Sequence, residues 1–336
     1  MRRVFGPAVA ALLGSGCTQL GSPLVPAGPQ AARIAAHWWL MFWVCAGVWV
    51  VVTLVLVIAA ARARVIHEEP GRVIPATAER GMTLIVAGAT AITTVILVVL
   101  LGVAVTTGRA LSAIQHAPDA LTIEVTAHRW WWELRYPDPV PANIVVTANE
   151  LHVPVRRPVH LVLRSQDVIH SFWAPNLNGK RDLIPGHETD LWIQVDDEAA
   201  FPGWCAEYCG LQHAHMRFVV IAEPSDRFQG WLATQRQPAS LPATPAEERG
   251  KQVFLSAQCP FCHTIRGTGA GGETAPDLTH FASRTTIAAG TLPRTAGHLS
   301  GWILDPQALK PGSLMPPTSL PTEDVQVLVA YLLSLR

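Results

Sequence analysis

Two stretches of this chain, Trp38 to Ala60 and Thr83 to Val105, contain no Asp, Glu, Lys or Arg. Each has about the 20 apolar residues that a helix needs to cross the hydrocarbon of a bilayer. A helix apolar on every face over that length has no soluble packing that hides it, which leaves the membrane as its solvent. The pair predicts a hairpin of two transmembrane helices over residues 36–106. Arg62, Arg64, Arg72 and Arg80 lie between the spans. Basic residues stay on the cytoplasmic side, so the short loop faces inward and everything after Val105 lies on the outer face.

Residues 1–17 read differently. Arg2 and Arg3 precede an apolar run to Leu13 that is too short to span, followed by Gly14-Ser-Gly-Cys17. This pattern is expected of a secretion signal, with Cys17 a candidate for lipid attachment although Gly14 stands where a branched apolar residue is usual. The alternative is an ordinary signal peptide with an incidental cysteine. Lys plus Arg and Asp plus Glu each number 25, giving no net charge. Without a basic stripe, nucleic acid is excluded as a partner.

Beyond the spans the texture changes. Leu121–Val125, Asn143–Thr147, Val159–Leu163, Leu191–Val195 and Arg217–Ala222 read as short strands between turn residues, an all-β sandwich or barrel over 118–224. A short helical piece is expected around Phe228–Leu232. Residues 237–245, rich in Pro, Ala and Ser, predict a linker. From Ala246 to 336 the pattern is helical, ending in a helix with Val325, Leu328, Val329 and Leu332 on one face.

Six cysteines are present: Cys17, Cys45, Cys205, Cys209, Cys259 and Cys262. Cys45 lies within a span, and the last four form two pairs. In Cys205-Ala-Glu-Tyr-Cys209-Gly-Leu-Gln-His213-Ala-His-Met216, two thiols four residues apart can aim at one point from a tight loop. His213 and Met216 follow at spacings that reach the same point, and His170 joins them from a distant strand. Thiolate, imidazole and thioether are the ligands copper favours, and this set exceeds the needs of one ion. A tetrahedral zinc would use two Cys and two His and give Met216 no role. A Cys205–Cys209 disulfide would leave both His213 and Met216 unexplained. His215 competes with His213 but is expected to be a bystander.

The second pair, Cys259-Pro-Phe-Cys262-His263, is a haem-attachment sequence. Two thioether bonds hold the haem, His263 takes one axial position, and the other falls to Met315, His280 or His298. Methionine suits a high potential, which favours Met315. A redox dithiol is the competing reading of C-x-x-C.

Asp167-Val-Ile-His170-Ser-Phe-Trp-Ala-Pro, Lys180-Arg-Asp182-Leu-Ile-Pro185-Gly and the Cys205–Met216 loop resemble subunit II of haem–copper cytochrome c oxidases, from about Trp38 to Glu223. Ser-Leu-Met315-Pro-Pro and the C-x-x-C-H motif resemble class I cytochromes c, from Ala246 to the end. Together they resemble the oxidases of the caa3 type, in which the two are fused. The fold class implied is a multidomain membrane protein: a two-helix transmembrane hairpin, an all-β cupredoxin-like domain and an all-α cytochrome c domain. The resemblance implies a dinuclear copper centre, CuA, held by His170, Cys205, Cys209, His213, Met216 and the backbone carbonyl of Glu207. It implies that the Glu207 carboxylate faces subunit I, where a magnesium ion is held. Within Arg129-Trp130-Trp131-Trp132 it makes Trp130 the residue through which electrons arrive, the competing view being an aromatic cluster near the membrane surface. It places the carbonyl of Pro276 on the His263 imidazole. Glu79 matches an acid at the mouth of a proton path, although the residues around it do not match.

The function expected is that of a subunit that accepts electrons at a covalent haem and passes them to CuA. Subunit I would use them to reduce oxygen to water, coupled to proton translocation. Partners expected are subunits I and III, a cytochrome c or other external donor, and the bacterial cell membrane. Two alternatives are a subunit of a CuA-containing nitric oxide reductase and a freestanding membrane electron carrier.

Overall fold

The computed structural model describes residues 21–63, 76–113 and 119–336. Cys17, Arg64 and Arg72 lie outside the described residues. Helix α1 spans Pro29–Ala63 and helix α2 spans Ala76–Ala113, each with a mean hydropathy of 2.7 in its most apolar window. Their large side chains are exposed on every face, with Trp49 at 68% and Leu84 at 73%. Such surfaces need lipid around them, and a helix satisfies its own backbone there. Trp38, Trp39, Phe42 and Trp43 form a stacked aromatic girdle early in α1, of the kind that settles at a membrane interface.

The segment ahead of α1 runs along the β domain. Asn176 holds it: its Oδ1 accepts from the Gly21 amide at 2.7 Å, and its Nδ2 donates to the carbonyls of Ser22 and Val25. The Ala27 and Ala31 amides donate to the carbonyls of Asn176 and Leu177.

The β domain is a sandwich of two five-stranded sheets. Its strands are β1 (Leu121–His128), β2 (Trp131–Tyr136), β3 (Val145–Ala148), β4 (Glu150–Pro154), β5 (Val159–Ser165), β6 (His170–Trp173), β7 (Arg181–Leu183), β8 (Thr189–Ile193), β9 (Ala199–Cys205) and β10 (Arg217–Glu223). One sheet runs β3-β2-β1-β5-β8, the other β4-β10-β9-β6-β7. Alternation drives the packing: Ile123, Val125 and Ala127 of β1 point inward while their neighbours face out. Trp132, Phe172 and Phe218 fill the centre with ring centroids 4.1–5.6 Å apart. Helix α3 (Ser225–Gln235) covers one end, burying Phe228 and Leu232.

After the connector come α4 (Pro245–Ser256), α5 (Ala296–Leu304), the single turn α6 (Pro306–Leu309) and α7 (Thr322–Ser334). The Thr244 side chain caps α4 by accepting from the Glu247 amide, and Pro245 takes the first turn where no N–H is needed. Helix α4 crosses α7 at Gly250, where a Cβ would fall 2.0 Å from the Val327 carbonyl oxygen. Phe254 and Tyr331 lock the crossing with centroids 6.3 Å apart. Two short hairpins, Thr264–Ile265 with Ala270–Gly271 and Thr286–Ile287 with Leu292–Pro293, add strand to a domain expected to be all helical.

Candidate copper centre and haem site

The copper candidates come from separate places in the chain and meet. His170 opens β6 and is fully buried; Cys205 closes β9; Met216 sits just before β10, also fully buried. Cys209 and His213 belong to the loop between β9 and β10. The Cys205 and Cys209 sulfurs stand 3.8 Å apart. Each sulfur has its own imidazole: His170 Nδ1 lies 3.8 Å from Cys205 and His213 Nδ1 lies 3.6 Å from Cys209. Each also has a third neighbour. The Glu207 carbonyl lies 3.2 Å from the Cys205 sulfur, and the Met216 sulfur lies 3.9 Å from that of Cys209. Both cysteines are free.

The donor set therefore divides into two matched halves around a shared pair of sulfurs. That suits two ions bridged by both thiolates. One tetrahedral ion would leave the Met216 thioether and the Glu207 carbonyl without a task. The Cys205 thiol is lowered to about 4 because the Cys209 thiol donates to it, with His170 adding to the effect against the cost of burial. Cys209 is pushed up in turn, since two bare thiolates cannot ionise side by side.

Asp167 fixes the His170 ring. Its Oδ1 lies 2.8 Å from His170 Nε2, leaving Nδ1 aimed at the sulfurs. Burial alone would raise the Asp167 carboxyl, but His170 and the amides of Val168 and Arg129 outweigh it and hold the group below the usual range. The sequence offered a sign of this role, since Asp167 stands three residues before His170 in the same run. His215 turns away and pairs with Gln212 Oε1 at 2.8 Å. The Glu207 side chain is exposed.

Trp130 lies in the turn between β1 and β2 and is 6% exposed. Its indole Nε1 donates to the Cys209 carbonyl at 2.9 Å. The stacking expected of a surface aromatic cluster falls instead to Trp131, which lies flat on His128 with centroids 4.3 Å apart.

In the haem domain, His263 Nδ1 lies 2.7 Å from the Pro276 carbonyl oxygen, so Nδ1 holds the proton and Nε2 is free to ligate iron. Burial pushes this imidazole below its ordinary value, which favours the neutral form a ligand needs. Cys259 and Met315 both pack on the apolar cluster of α4, α5 and α7. His280 is buried with Nε2 on the Gln237 carbonyl at 3.0 Å, and His298 is exposed at the start of α5 with Nδ1 on the Thr295 hydroxyl. Both are thus engaged elsewhere. Gln307, which sequence reasoning missed, steadies the Met315 loop by donating to the carbonyls of Ser313 and Met315 and accepting from the Gly312 amide.

Residues 121–223 match the family described as cytochrome C oxidase subunit II, periplasmic domain, and residues 247–336 match the cytochrome c family. The chain is 36% identical over 321 residues to cytochrome c oxidase subunit 2 of Alkalihalophilus pseudofirmus, covering 93% of this chain and 90% of that one. It is 33% identical over 231 residues to cytochrome c oxidase subunit 2 of Bacillus subtilis, covering 66% of this chain and 64% of that one. A membrane-anchored electron-transfer subunit is the class that this fold and donor set define. The chain belongs to the cytochrome c oxidase subunit 2 family and carries a cytochrome c domain behind the copper-binding one.

Proposed function

We propose that this chain is the electron-accepting subunit of a haem–copper terminal oxidase. The haem domain takes electrons from an external donor, and the copper loop passes them to a partner subunit that reduces oxygen. The observation that carries this reading is the matched donor set at 3.6–3.9 Å around Cys205 and Cys209. His170, Cys205, Cys209, His213, Met216 and the Glu207 carbonyl would hold the copper pair; Cys259, Cys262, His263 and Met315 would hold the haem. Bound there, the two groups supply reversible one-electron exchange in which no substrate bond is made or broken.

The residues themselves do the positioning. Asp167 orients His170, and Pro276 orients His263. The β6, β9 and β10 backbones fix both sulfurs, so ligand geometry need change little between charge states. Trp130 joins the copper loop by its hydrogen bond to Cys209 and is the point of electron arrival. The exposed Glu207 carboxylate is free to face subunit I and share a magnesium ion there. Arg62 and Arg80 flank the loop between the spans, which supports a cytoplasmic loop with both redox domains on the outer face of a bacterial membrane. Subunit III is the further expected partner.

The test is gas consumption by the intact complex, purified in mild detergent with a reductant feeding the haem. Oxygen uptake with a large haem-bearing subunit retained is the expected result. Nitric oxide consumption alone would assign the chain to a reductase. Neither gas consumed, with both cofactors intact and no partner retained, would make it a freestanding carrier. For Trp130, replacement by Phe is expected to slow electron arrival at copper while the copper spectrum stays the same; an unchanged rate would remove the role.

A further inference from the structure

The haem domain meets Trp130 and the copper loop through three consecutive residues, Lys310, Pro311 and Gly312, on the segment that leads to Met315, and a second segment reaches the end of that loop, where the Ala289 carbonyl accepts from the Arg217 amide at 3.1 Å. Lys310 Nζ donates to the Trp130 carbonyl at 2.8 Å and to the Ala288 carbonyl at 3.1 Å. The Pro311 carbonyl accepts from Gln212 Nε2 at 2.8 Å, and Gln212 immediately precedes His213. Gly312 lies against the Trp130 ring with φ at +85°; a Cβ there would sit 3.3 Å from the ring edge. A side chain there would press on Leu211 and the indole, and the backbone conformation itself favours glycine.

Lys310 stands apart from the other two lysines of the chain. Lys180 is exposed and Lys251 is half-buried, whereas Lys310 is 3% exposed. Its two hydrogen-bond partners are backbone carbonyls, and no carboxylate pairs with it among the described residues. Burying an ammonium on carbonyls alone costs stability, which a methionine of similar length would avoid.

We infer that Lys310 is a positioning residue for electron transfer between the two domains. It pins the Met315 loop onto Trp130, whose indole in turn bonds the Cys209 carbonyl. One residue, Trp130, thereby joins both domains: its backbone oxygen is held by the haem domain and its ring by the copper loop. A contact that does not involve Lys310 also keeps the domains in register. Glu150 of β4, 4% exposed, accepts from the Thr285 amide at 2.7 Å and from its hydroxyl at 2.5 Å. Losing Lys310 therefore loosens the Trp130 side of the interface, while the Arg217 amide on the Ala289 carbonyl and the Glu150–Thr285 contact still hold. This inference rests on the reading of Trp130 as the point of electron arrival.

The experiment uses the full-length subunit in its complex, with Lys310→Met as the main variant and Lys310→Gln as a shorter, uncharged donor. Three quantities are compared with the parent: haem-to-copper transfer after rapid haem reduction, the absorption and potentials of both centres, and hydrogen exchange of the segments around 130 and 310. For Lys310→Met, transfer is expected to fall on the order of tenfold or more, as small displacements of a donor–acceptor pair cost. Spectra and potentials should stay at parental values, and exchange should rise in both segments. Lys310→Gln should fall between parent and Lys310→Met. Parental transfer in Lys310→Met, or slowed transfer with unchanged exchange, would overturn the inference. Trp130→Phe separates the two claims: slowed transfer there with a parental Lys310→Met rejects only the role of Lys310, whereas parental transfer in Trp130→Phe rejects the route that Lys310 was inferred to serve.

Discussion

In the β domain, five side chains from strand ends and a loop close to within sulfur contact of one another. In the haem domain, three of the four candidate ligands occupy Cys259–His263, and only Met315 comes from elsewhere. The copper set is a product of tertiary structure. His170 is 35 positions from Cys205, and the Trp132, Phe172 and Phe218 core beneath them decides their spacing. The haem set is a product of local sequence, held in a half-exposed loop and fixed from outside by the Pro276 carbonyl, which accepts from His263, and by the hydrogen bonds of Gln307 to the Met315 loop. A site built by the core inherits the stability of the whole domain; a site built by a short run depends on covalent attachment and on one distant loop.

The largest effect should come from removing a shared sulfur. Cys209→Ser is expected to abolish copper binding while leaving covalent haem at one per chain, measured by metal analysis and the haem absorption spectrum. Copper at parental levels would break the claim that both thiolates are shared. Next, Met315→Leu should keep the haem attached but lower its potential and alter its visible spectrum, since the thioether ligand raises potential. A parental spectrum would give the axial position to another residue. Phe254→Ala should destabilise the haem domain by about 3–5 kcal/mol through a cavity at the α4–α7 crossing, with the copper signal unmoved. Loss of copper with it would show that the domains unfold together.

Asp167→Asn is expected to retain copper with affinity weakened about 10–100-fold, seen by competition with a chelator. The smallest effect concerns Glu223, whose carboxyl is held below its ordinary value by His152 at 2.9 Å. The folded value is the lower one, so its contribution is present above the unfolded carboxylate value and is lost as pH falls through the folded one. Thermal melts below about pH 4 should converge between the parent and Glu223→Gln, after a difference of under about 1 kcal/mol near neutrality. A gap that widens on acidification would refute the sign.

Legibility followed the same division. Both apolar helices, together with α4 and α7, could be read in advance, because apolar runs and helical spacing are local signals. Five of the ten β-domain strands were readable; β2, β4, β6, β7 and β9 were not. Trp131–Tyr136 is too rich in aromatic and charged residues to show clean alternation, and Arg181–Leu183 is too short to show any. The candidate copper residues were named through resemblance, and their convergence needed the fold. Lys310, Gln212 and Glu150 gave no advance sign, because their partners are backbone groups or side chains of another domain. The attachment of Gly21–Ala31 along Asn176 was hidden for the same reason.

Trp130 is covered by the chain's own haem domain, with Gly312 against its ring. On the proposed route through Trp130, that changes which forces can regulate the flow of electrons. Between separate proteins, dissolved salt thins the attraction that brings donor to acceptor, and the rate falls. At this junction no encounter takes place, so there is nothing for salt to weaken. Ionic strength should act on the first arrival of electrons at the haem and leave the handover beneath it untouched.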